Sequence, residues 1–147
     1  MTAGLCLHRG TAHEIGMVTR LLDSAGLPVE DLTTQHMAAF IIATRGDATL
    51  GIIGLEKFAD VGLLRSLVVD PAHRGKGFGR QLVDALESTA AADGIRELWL
   101  LTVDAGRFFN NLAYVAISRD KVPAVLQATP EFLSLCPGDA VVMHKKL

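Results

Sequence analysis

The segment LLRSLVVDPAHRGKGFG, residues 63–79, decides how the rest of this 147-residue sequence is interpreted. Residues 63–69 are almost all branched and apolar, which is typical of a β-strand buried on both faces. Asp70-Pro71 ends that strand, because proline cannot donate to a β-ladder and restricts the residue before it. Beyond the glycine-rich turn, apolar residues recur at helical spacing and predict an amphipathic helix that buries Phe78, Leu82, Val83, Leu86 and Ala90.

The turn between this strand and this helix predicts an anion site. The first N–H groups of a helix have no partner within the helix, the helix dipole is positive at that end, and glycine lets a phosphate approach the backbone. We therefore expect a phosphate-bearing cofactor, bound by Arg74, Gly75, Lys76, Gly77, Phe78, Gly79 and Arg80. The alternative is that the glycines do no more than reverse the chain.

The pattern Arg74-x-x-Gly77-x-Gly79 differs from the P-loop and from the dinucleotide-binding fingerprint. With its preceding strand, it resembles the acetyl-CoA loop of the GCN5-related N-acetyltransferase (GNAT) superfamily. The resemblance implies the GNAT fold, of the α/β (α+β) class: a mixed, mostly antiparallel sheet with flanking helices and a parallel strand pair splayed at the acetyl-CoA site. It also implies acetyl-CoA (coenzyme A) as the cofactor and transfer of the acetyl group to an amine.

The same resemblance implies how the rest of the cofactor is held. The pantetheine arm of coenzyme A would pair with the backbone of Leu67, Val68 and Val69 as an additional strand. A strand N–H would also stabilise the thioester oxygen as charge develops on it. Asn110 is a further cofactor-binding candidate, because it lies in residues 102–114, which resemble the second conserved block of the family.

Two residues of that second block depart from the family pattern. Phe109 stands where many members carry a tyrosine that protonates the departing thiolate, and phenylalanine cannot donate a proton. Ala113 stands where the motif usually has glycine, and Tyr114 is expected to be a core aromatic residue. The proton for the thiolate would then come from water.

Within the superfamily, the sequence most resembles the arsenic-resistance-associated, ArsN-type acetyltransferases. Residues 54–56 (GLE), 60–66 (DVGLLRS) and 131–137 (EFLSLCP) carry this finer resemblance. It implies a role in arsenic resistance, in which the Cys136 thiolate could bind trivalent arsenic. A lone cysteine is otherwise usually a small buried apolar residue.

Composition limits the classes of function. The 147 residues predict a single domain over 1–147, with half of the residues hydrophobic and a formal net charge of −2. This charge argues against a nucleic-acid-binding protein. No apolar run is long enough for a signal peptide or a membrane span, and we expect a soluble cytoplasmic protein that does not bind membranes. The histidines and cysteines show no metal-type spacing. Exposed strand edges are compatible with a homodimer.

The remaining pattern predicts the order of elements. Thr11 and Glu14 form a capping-box pattern that opens a helix ending near Gly26, and a second helix over residues 79–93 ends at Gly94. Strands are predicted at residues 5–9, 38–44, 50–58, 61–69, 96–102, 115–118 and 140–145. The crossover helix requires strand 96–102 to lie parallel to strand 61–69. A short helix is expected at residues 106–112, and residues 119–138 are expected to be irregular or weakly helical.

Two charged residues in apolar strands are the catalytic candidates. Glu56 could act as the base, since burial would make its carboxylate more basic; alternatively it is a solvated residue at a strand end. Arg65 interrupts the central strand, where an unpaired charge is costly. It either pairs with a carboxylate such as Glu56 or clamps an acidic substrate. Ser66 and Thr102 are the remaining substrate-binding candidates, unless their hydroxyls only satisfy local backbone groups.

Two hypotheses of function follow. The first is an acetyl-CoA-dependent N-acetyltransferase acting on the amino group of a small, amino-acid-like acceptor, such as an organoarsenical amino acid. The second is a non-catalytic module that binds acyl-CoA or senses arsenic, which Phe109 keeps open.

Overall fold

The computed structural model describes residues 5–26, 34–46, 48–129, 132 and 140–147. The strands within these residues are β1 (Cys6–Arg9), β2 (Phe40–Arg45), β3 (Ala48–Phe58), β4 (Val61–Val69), β5 (Glu97–Thr102), β6 (Val115–Ile117) and β7 (Val141–Lys146). The helices are α1 (Ile15–Ser24), α2 (Phe78–Ala92), α3 (Gly106–Asn110) and α4 (Ala124–Gln127). No helix in the described parts of the chain is both long and apolar enough to cross a membrane.

The described strands form a seven-stranded sheet in the order β1-β2-β3-β4-β5-β7-β6. The ladders β1–β2, β2–β3, β5–β7 and β6–β7 are antiparallel. The β4–β5 ladder is parallel, and it pairs Val61 with Glu97 and Leu63 with Trp99. Helix α2 provides the crossover that this parallel pair requires. The predicted mixed sheet with one parallel pair and flanking helices is confirmed.

The chain divides into two compact units: Met1–Leu55 with Ser66–Thr89, and Glu56–Arg65 with Ala90–Leu147. The first unit has an apolar core formed by Val18, Leu22, Met37, Phe40, Ile42, Ile52 and Val68. The second unit has its own core, formed by Leu63, Trp99, Val122, Leu126 and Val142. Each core joins strand residues to at least one helix or turn, which is how a two-layer arrangement buries its apolar surface.

The local signals at the helix ends are confirmed. The Glu14 carboxylate accepts hydrogen bonds from the Thr11 N–H at 2.9 Å and from the Thr11 hydroxyl at 3.1 Å, and the helical turn there continues into α1. After α2, Gly94 has φ +83°, and the Ile95 N–H donates to the Ala90 carbonyl at 3.0 Å. This is the hydrogen bond of a Schellman helix end.

One strand begins later than its sequence pattern predicts. Residues 38 and 39 belong to a 3-10 helix, Thr34–Ala39, and β2 starts at Phe40. The Gly10 N–H donates to the Phe40 carbonyl at 2.9 Å, and a Cβ on Gly10 would lie 2.4 Å from the Met37 carbonyl oxygen. The close approach of residue 10 therefore holds the chain in a turn until the β1–β2 ladder begins.

Candidate active site

The end of β4 is held by a short network in the first unit. The Asp70 N–H donates to the Leu50 carbonyl on β3 at 2.7 Å. The Asp70 carboxylate accepts from the Ala72 N–H at 3.2 Å, and it lies 3.5 Å from Nδ1 of His73. Pro71 begins a 3-10 turn, Pro71–His73, so the strand ends where Asp70-Pro71 predicts. His73 is therefore a residue of the turn that follows β4, held beside Asp70.

The glycines of the loop have a conformation that other residues rarely adopt. Gly75 has φ +79° and Gly77 has φ +83°, both in the left-handed region where a Cβ is costly. Apart from the adjoining residues of the chain, no heavy atom of the described residues lies within 4 Å of the position that a Cβ would take on either glycine. These glycines therefore shape the backbone and leave open space above it, rather than permitting close packing.

The backbone amides of the loop and of the first turn of α2 are open. The Gln81 N–H donates to the Gly77 carbonyl at 3.2 Å, which begins the hydrogen-bonding ladder of α2. Within the described part of the chain, the N–H groups of residues 74–80 have no acceptor. They lie at the positive end of a fifteen-residue helix. This is the backbone geometry that binds phosphate at helix N-termini.

The side chains of the loop contribute in different ways. Phe78 is only 5% exposed, so only its backbone can reach a ligand in the open space. Nε of Arg74 donates to the Val69 carbonyl at 3.2 Å, which ties this arginine to the end of β4. Lys76 and Arg80 are exposed, and Gly79 is half-buried in the first turn of the helix. The loop thus offers positive charge to an anion without a buried cation.

β4 supplies the strand residues beside the loop. Its parallel ladder with β5 ends at Leu63, so Leu67 and Val69 lie beyond it, and both are half-buried. Val68 is buried in the core of the first unit. Ser66 has φ +62°, a strained conformation within a strand that marks a change in backbone direction. Half-buried and buried residues therefore alternate from Leu67 to Val69.

Glu56 and Arg65 form an ion pair in the second unit. Nη1 of Arg65 donates to Oε1 of Glu56 at 2.8 Å. The Arg65 side chain is 8% exposed and the Glu56 side chain 20% exposed. Of the two interpretations of Arg65 from the sequence, pairing with Glu56 is the one present here. A bound acceptor would have to compete for it.

The other two candidates make local contacts. Oγ1 of Thr102 accepts from the Ala105 N–H at 2.9 Å and so closes the turn before α3. Asn110 is exposed at the end of α3, and its carbonyl accepts from the Ala113 N–H at 3.1 Å. Neither of these hydrogen bonds is to Glu56 or Arg65.

Helix α3, which lies in the second conserved block, ends in a Schellman motif. The Tyr114 N–H donates to the Phe109 carbonyl at 3.0 Å, and Ala113 has φ +75°. Ala113 therefore takes the left-handed position that explains the family's glycine there. Phe109 is 4% exposed, and its ring packs edge-to-face on Tyr114, with 5.5 Å between centroids. The predicted core position of Tyr114 is confirmed.

One residue near the loop, Arg45, was missed by the sequence interpretation. The Cζ atom of Arg45 lies 5.4 Å from the centroid of the Phe78 ring, at the start of α2. Nothing in the sequence links residues 45 and 78. Cys136 lies outside the described residues, and in the described part of the chain no group of three or more His, Cys, Asp or Glu residues is arranged to hold a metal ion.

Comparison with known proteins identifies the family. The profile of the acetyltransferase (GNAT) family matches residues 12–114. The chain therefore belongs to the GNAT family, and the superfamily predicted from the sequence is confirmed. This match covers the loop, α2 and the second conserved block together.

Sequence relatives include proteins longer than this chain. An uncharacterised N-acetyltransferase of Chlorobaculum tepidum is 29% identical over 90 residues, which are 60% of this chain and 57% of that protein. An amino-acid acetyltransferase of Neisseria meningitidis is 26% identical over 121 residues, 79% of this chain and 28% of that protein. The chain thus spans about half of the first relative and just over a quarter of the second.

Solved structures show the same fold. The N-acetylglutamate synthase of Neisseria gonorrhoeae, complexed with coenzyme A and N-acetyl-glutamate, superposes with a TM-score of 0.86 at 20% identity, covering 100% of this chain and 36% of that one. Rv2747 of Mycobacterium tuberculosis, in complex with CoA, gives a TM-score of 0.83 at 23% identity, covering 97% of this chain and 99% of that one.

Proposed function

We propose that this chain, as a single GNAT domain over residues 1–147, transfers the acetyl group of acetyl-CoA to the amino group of a small, amino-acid-like acceptor. The observation that carries the proposal is the row of open amides at residues 74–80, above which Gly75 and Gly77 leave free space. The family match supports the reaction. The amino-acid acetyltransferases among the relatives support the class of acceptor.

The cofactor-binding roles follow from the backbone. The diphosphate of coenzyme A would accept hydrogen bonds from the amides of residues 74–80, with Lys76 and Arg80 adding charge. The pantetheine arm would lie along Leu67, Val68 and Val69, beyond the end of the β4–β5 ladder. Asn110, exposed at the end of α3, would add a side-chain contact.

The chemistry requires one bond to form and one to break. The acceptor nitrogen attacks the thioester carbonyl carbon, the carbon–sulfur bond breaks, and coenzyme A leaves as a thiolate. The attacking nitrogen is a neutral amine, formed when the ammonium group loses its first proton; it loses a second proton as the amide forms, and the thiolate gains one. Since Phe109 is buried among aromatic rings and has no hydroxyl, water supplies the proton to the thiolate. Holding both reactants in attack geometry is the main contribution of the protein.

The Glu56–Arg65 pair would recognise the acceptor by exchanging partners. A carboxylate on the acceptor would replace Glu56 on the Arg65 guanidinium, because a planar fork binds carboxylates well. Glu56, released from Arg65, would then be free to accept the proton of the acceptor ammonium group. Arg65 stands two positions before Leu67 in β4, so recognition of the acceptor and contact with the cofactor would share one strand.

Ser66 and Thr102 are the other residues proposed to bind the acceptor. The left-handed backbone of Ser66 would aim its hydroxyl or its amide at the acceptor, which is a use to which strained residues are often put. The Thr102 hydroxyl already accepts one hydrogen bond, from the Ala105 N–H, and a hydroxyl in that position can still donate its own hydrogen.

Release of free thiol from acetyl-CoA tests the proposal, with amino acids and the amines that lack their carboxylates as matched acceptors. We expect release that depends on the acceptor and favours the amino acids. In Arg65→Met, the acceptor KM should rise about tenfold, the acetyl-CoA KM should change little, and the preference for the carboxylate should disappear. Glu56→Gln, the control that keeps a partner for Arg65, should lower kcat instead. Binding of acetyl-CoA without acceptor-dependent thiol release would reject the transferase.

A second candidate is a module that binds acyl-CoA, or senses arsenic, without turnover. The specific observation in its favour is the buried ring of Phe109. By the resemblance to the family, this position holds in many members the tyrosine that protonates the thiolate. The thiol assay separates the two candidates directly, because a module would bind the cofactor and release no thiol with any acceptor.

The resemblance to ArsN-type proteins supports a finer proposal for the acceptor. An organoarsenical amino acid carries the amine and the carboxylate that the Glu56–Arg65 exchange would require. Including such a compound in the acceptor panel tests this: a kcat/KM no better than that of ordinary amino acids would reject the arsenical acceptor while leaving the transferase in place.

A further inference from the structure

Arg45 is placed against the start of α2 by an aromatic ring. It is the last residue of β2, and its Cζ atom lies 5.4 Å from the centroid of the Phe78 ring. Phe78 is the first residue of α2 and is almost fully buried, so the ring is a fixed platform. A guanidinium over the face of an aromatic ring is attracted to the electrons of that face. Arg45 is therefore held at the helix end rather than extended into solvent.

Arg45 lies where a negative group would be stabilised. The guanidinium lies beside the positive end of the helix dipole, next to the open amides of residues 74–80. Its Nε is buried, and within the described residues it has no hydrogen-bond partner. The Asp70 carboxylate, which follows β4, already accepts from the Ala72 N–H and faces His73. A cation and a positive helix end placed together are stabilised when a negative group binds between them.

We propose that Arg45 is a cofactor-binding residue, and that its guanidinium binds a phosphate group of coenzyme A at the N-terminus of α2. This inference rests on the proposed function and adds a residue that lies outside the glycine-rich loop. The amides of residues 74–80 form one side of the anion site, and Arg45, from the β2–β3 turn, forms another. The arginine fork suits phosphate oxygens, since two parallel N–H groups can bind two of them.

Calorimetric titration of the whole chain with coenzyme A and with 3′-dephospho-coenzyme A tests this role. Arg45→Met keeps the length of the side chain over Phe78 without its charge, and Arg45→Gln serves if the first variant does not fold. We expect binding of coenzyme A to weaken about tenfold in either variant, as for loss of a charged hydrogen bond. Arg20→Met, which removes an exposed charge from α1, is the matched control and should leave the Kd unchanged.

The two ligands identify which phosphate is bound. If only coenzyme A binds more weakly, Arg45 contacts the 3′-phosphate; if both ligands bind more weakly, it contacts the diphosphate; either result supports the inference. A folded Arg45 variant, with the Tm of the wild type, that binds both ligands as the wild type does would overturn it. Failure of the wild-type chain to bind either ligand would instead reject the proposed function.

Discussion

The first unit contains two helix N-termini that treat their amides in opposite ways. At the start of the helical segment that leads into α1, the Glu14 carboxylate accepts from the Thr11 N–H and hydroxyl and from Nε2 of His8 at 3.0 Å. At the start of α2, none of the described residues accepts a hydrogen bond from the backbone N–H groups of residues 74–80. One helix start carries its own anion, and the other is left open.

Hydrogen bonds at the first of these helix starts lower the pKa of Glu14. Partial burial raises the pKa of Glu14, but the hydrogen bonds from His8 and from Thr11 outweigh it, and the net pKa lies below the ordinary value of 4.5. The protein thus stabilises the charged carboxylate there. By the same physics, the open start of α2 would stabilise a phosphate supplied from solution. The difference between the two ends separates a structural cap from a candidate ligand site.

The largest expected effect comes from closing the open end. Gly77→Glu places a carboxylate at the start of α2, where it would occupy the amides as Glu14 does at α1 and repel a phosphate. We expect the affinity for coenzyme A to fall by about 100-fold or more, measured by calorimetry. Gly77→Ala is the control, because it brings the same strain at φ +83° without charge. Equal losses in the two variants would mean that backbone strain, not charge, explains the effect.

The next largest effect tests the packing of Gly51, in β3, against β4 and α2. A Cβ on Gly51 would lie 2.8 Å from the Val68 carbonyl oxygen and 3.0 Å from Cδ1 of Leu82 on α2. We expect Gly51→Ala to lower the free energy of unfolding in urea by about 2 kcal/mol, because the backbone of β4 must move. Gly16→Ala in α1 is the matched control. Outside the backbone of its own helix and its chain neighbours, no described atom lies within 4 Å of the Cβ that this change adds, and we expect it to stabilise the protein by about 0.5–1 kcal/mol. Similar effects of the two substitutions would show that β4 and α2 can move to accommodate a Cβ on Gly51 at little cost.

A smaller effect concerns Glu14, the anion at the start of the helical segment that leads into α1. Glu14→Gln should cost about 1 kcal/mol at pH 7, as for loss of a helix cap. Because the pKa of Glu14 is lowered on folding, the contribution of the carboxylate is present above pH 4.5 and is lost as the pH falls through the lower folded value. The difference between wild type and variant, followed by urea unfolding, should therefore narrow below pH 4.5. A difference that does not vary with pH would show that the charge is not what stabilises this end.

The smallest effect concerns two helix C-termini that the chain closes for itself. Ala113→Gly should raise the free energy of unfolding by about 0.5–1 kcal/mol, because glycine relieves the strain at φ +75°. Gly94→Ala, the mirror-image change in the same motif after α2, should lower it by about 1 kcal/mol. The two substitutions should shift Tm in opposite directions. A loss of stability in Ala113→Gly would show that the methyl group of Ala113 contributes packing.

Much of the fold and of the loop could be predicted from the sequence because the signals are local. Pro71 ends β4, Gly94 ends α2, and Thr11 with Glu14 begins the segment that leads into α1, each through groups a few residues apart. The parallel pairing of β4 with β5 followed from a crossover rule that needs only the order of elements. The glycine-rich loop was recognisable for the same reason.

The candidate acceptor site was predictable only as a choice between alternatives. The sequence showed that Arg65 needs a partner in an apolar strand, but not whether the partner is Glu56 or a ligand. The contact depends on which faces of β3 and β4 the two side chains share. Thr102 likewise had two interpretations, and its bond to the Ala105 N–H became visible only in the folded turn.

The sequence by itself determined the order of strands and helices, the family and the open start of α2, since proline, glycine and apolar spacing act on the neighbouring backbone. Only the tertiary structure decided that Glu56 pairs with Arg65, that Gly51 lies against Val68 and Leu82, and that the Arg45 guanidinium lies over the Phe78 ring. These contacts join residues that are far apart in the chain or lie on different elements. They depend on strand register and on the packing of side chains, and the spacing of residues along the chain does not encode either of these.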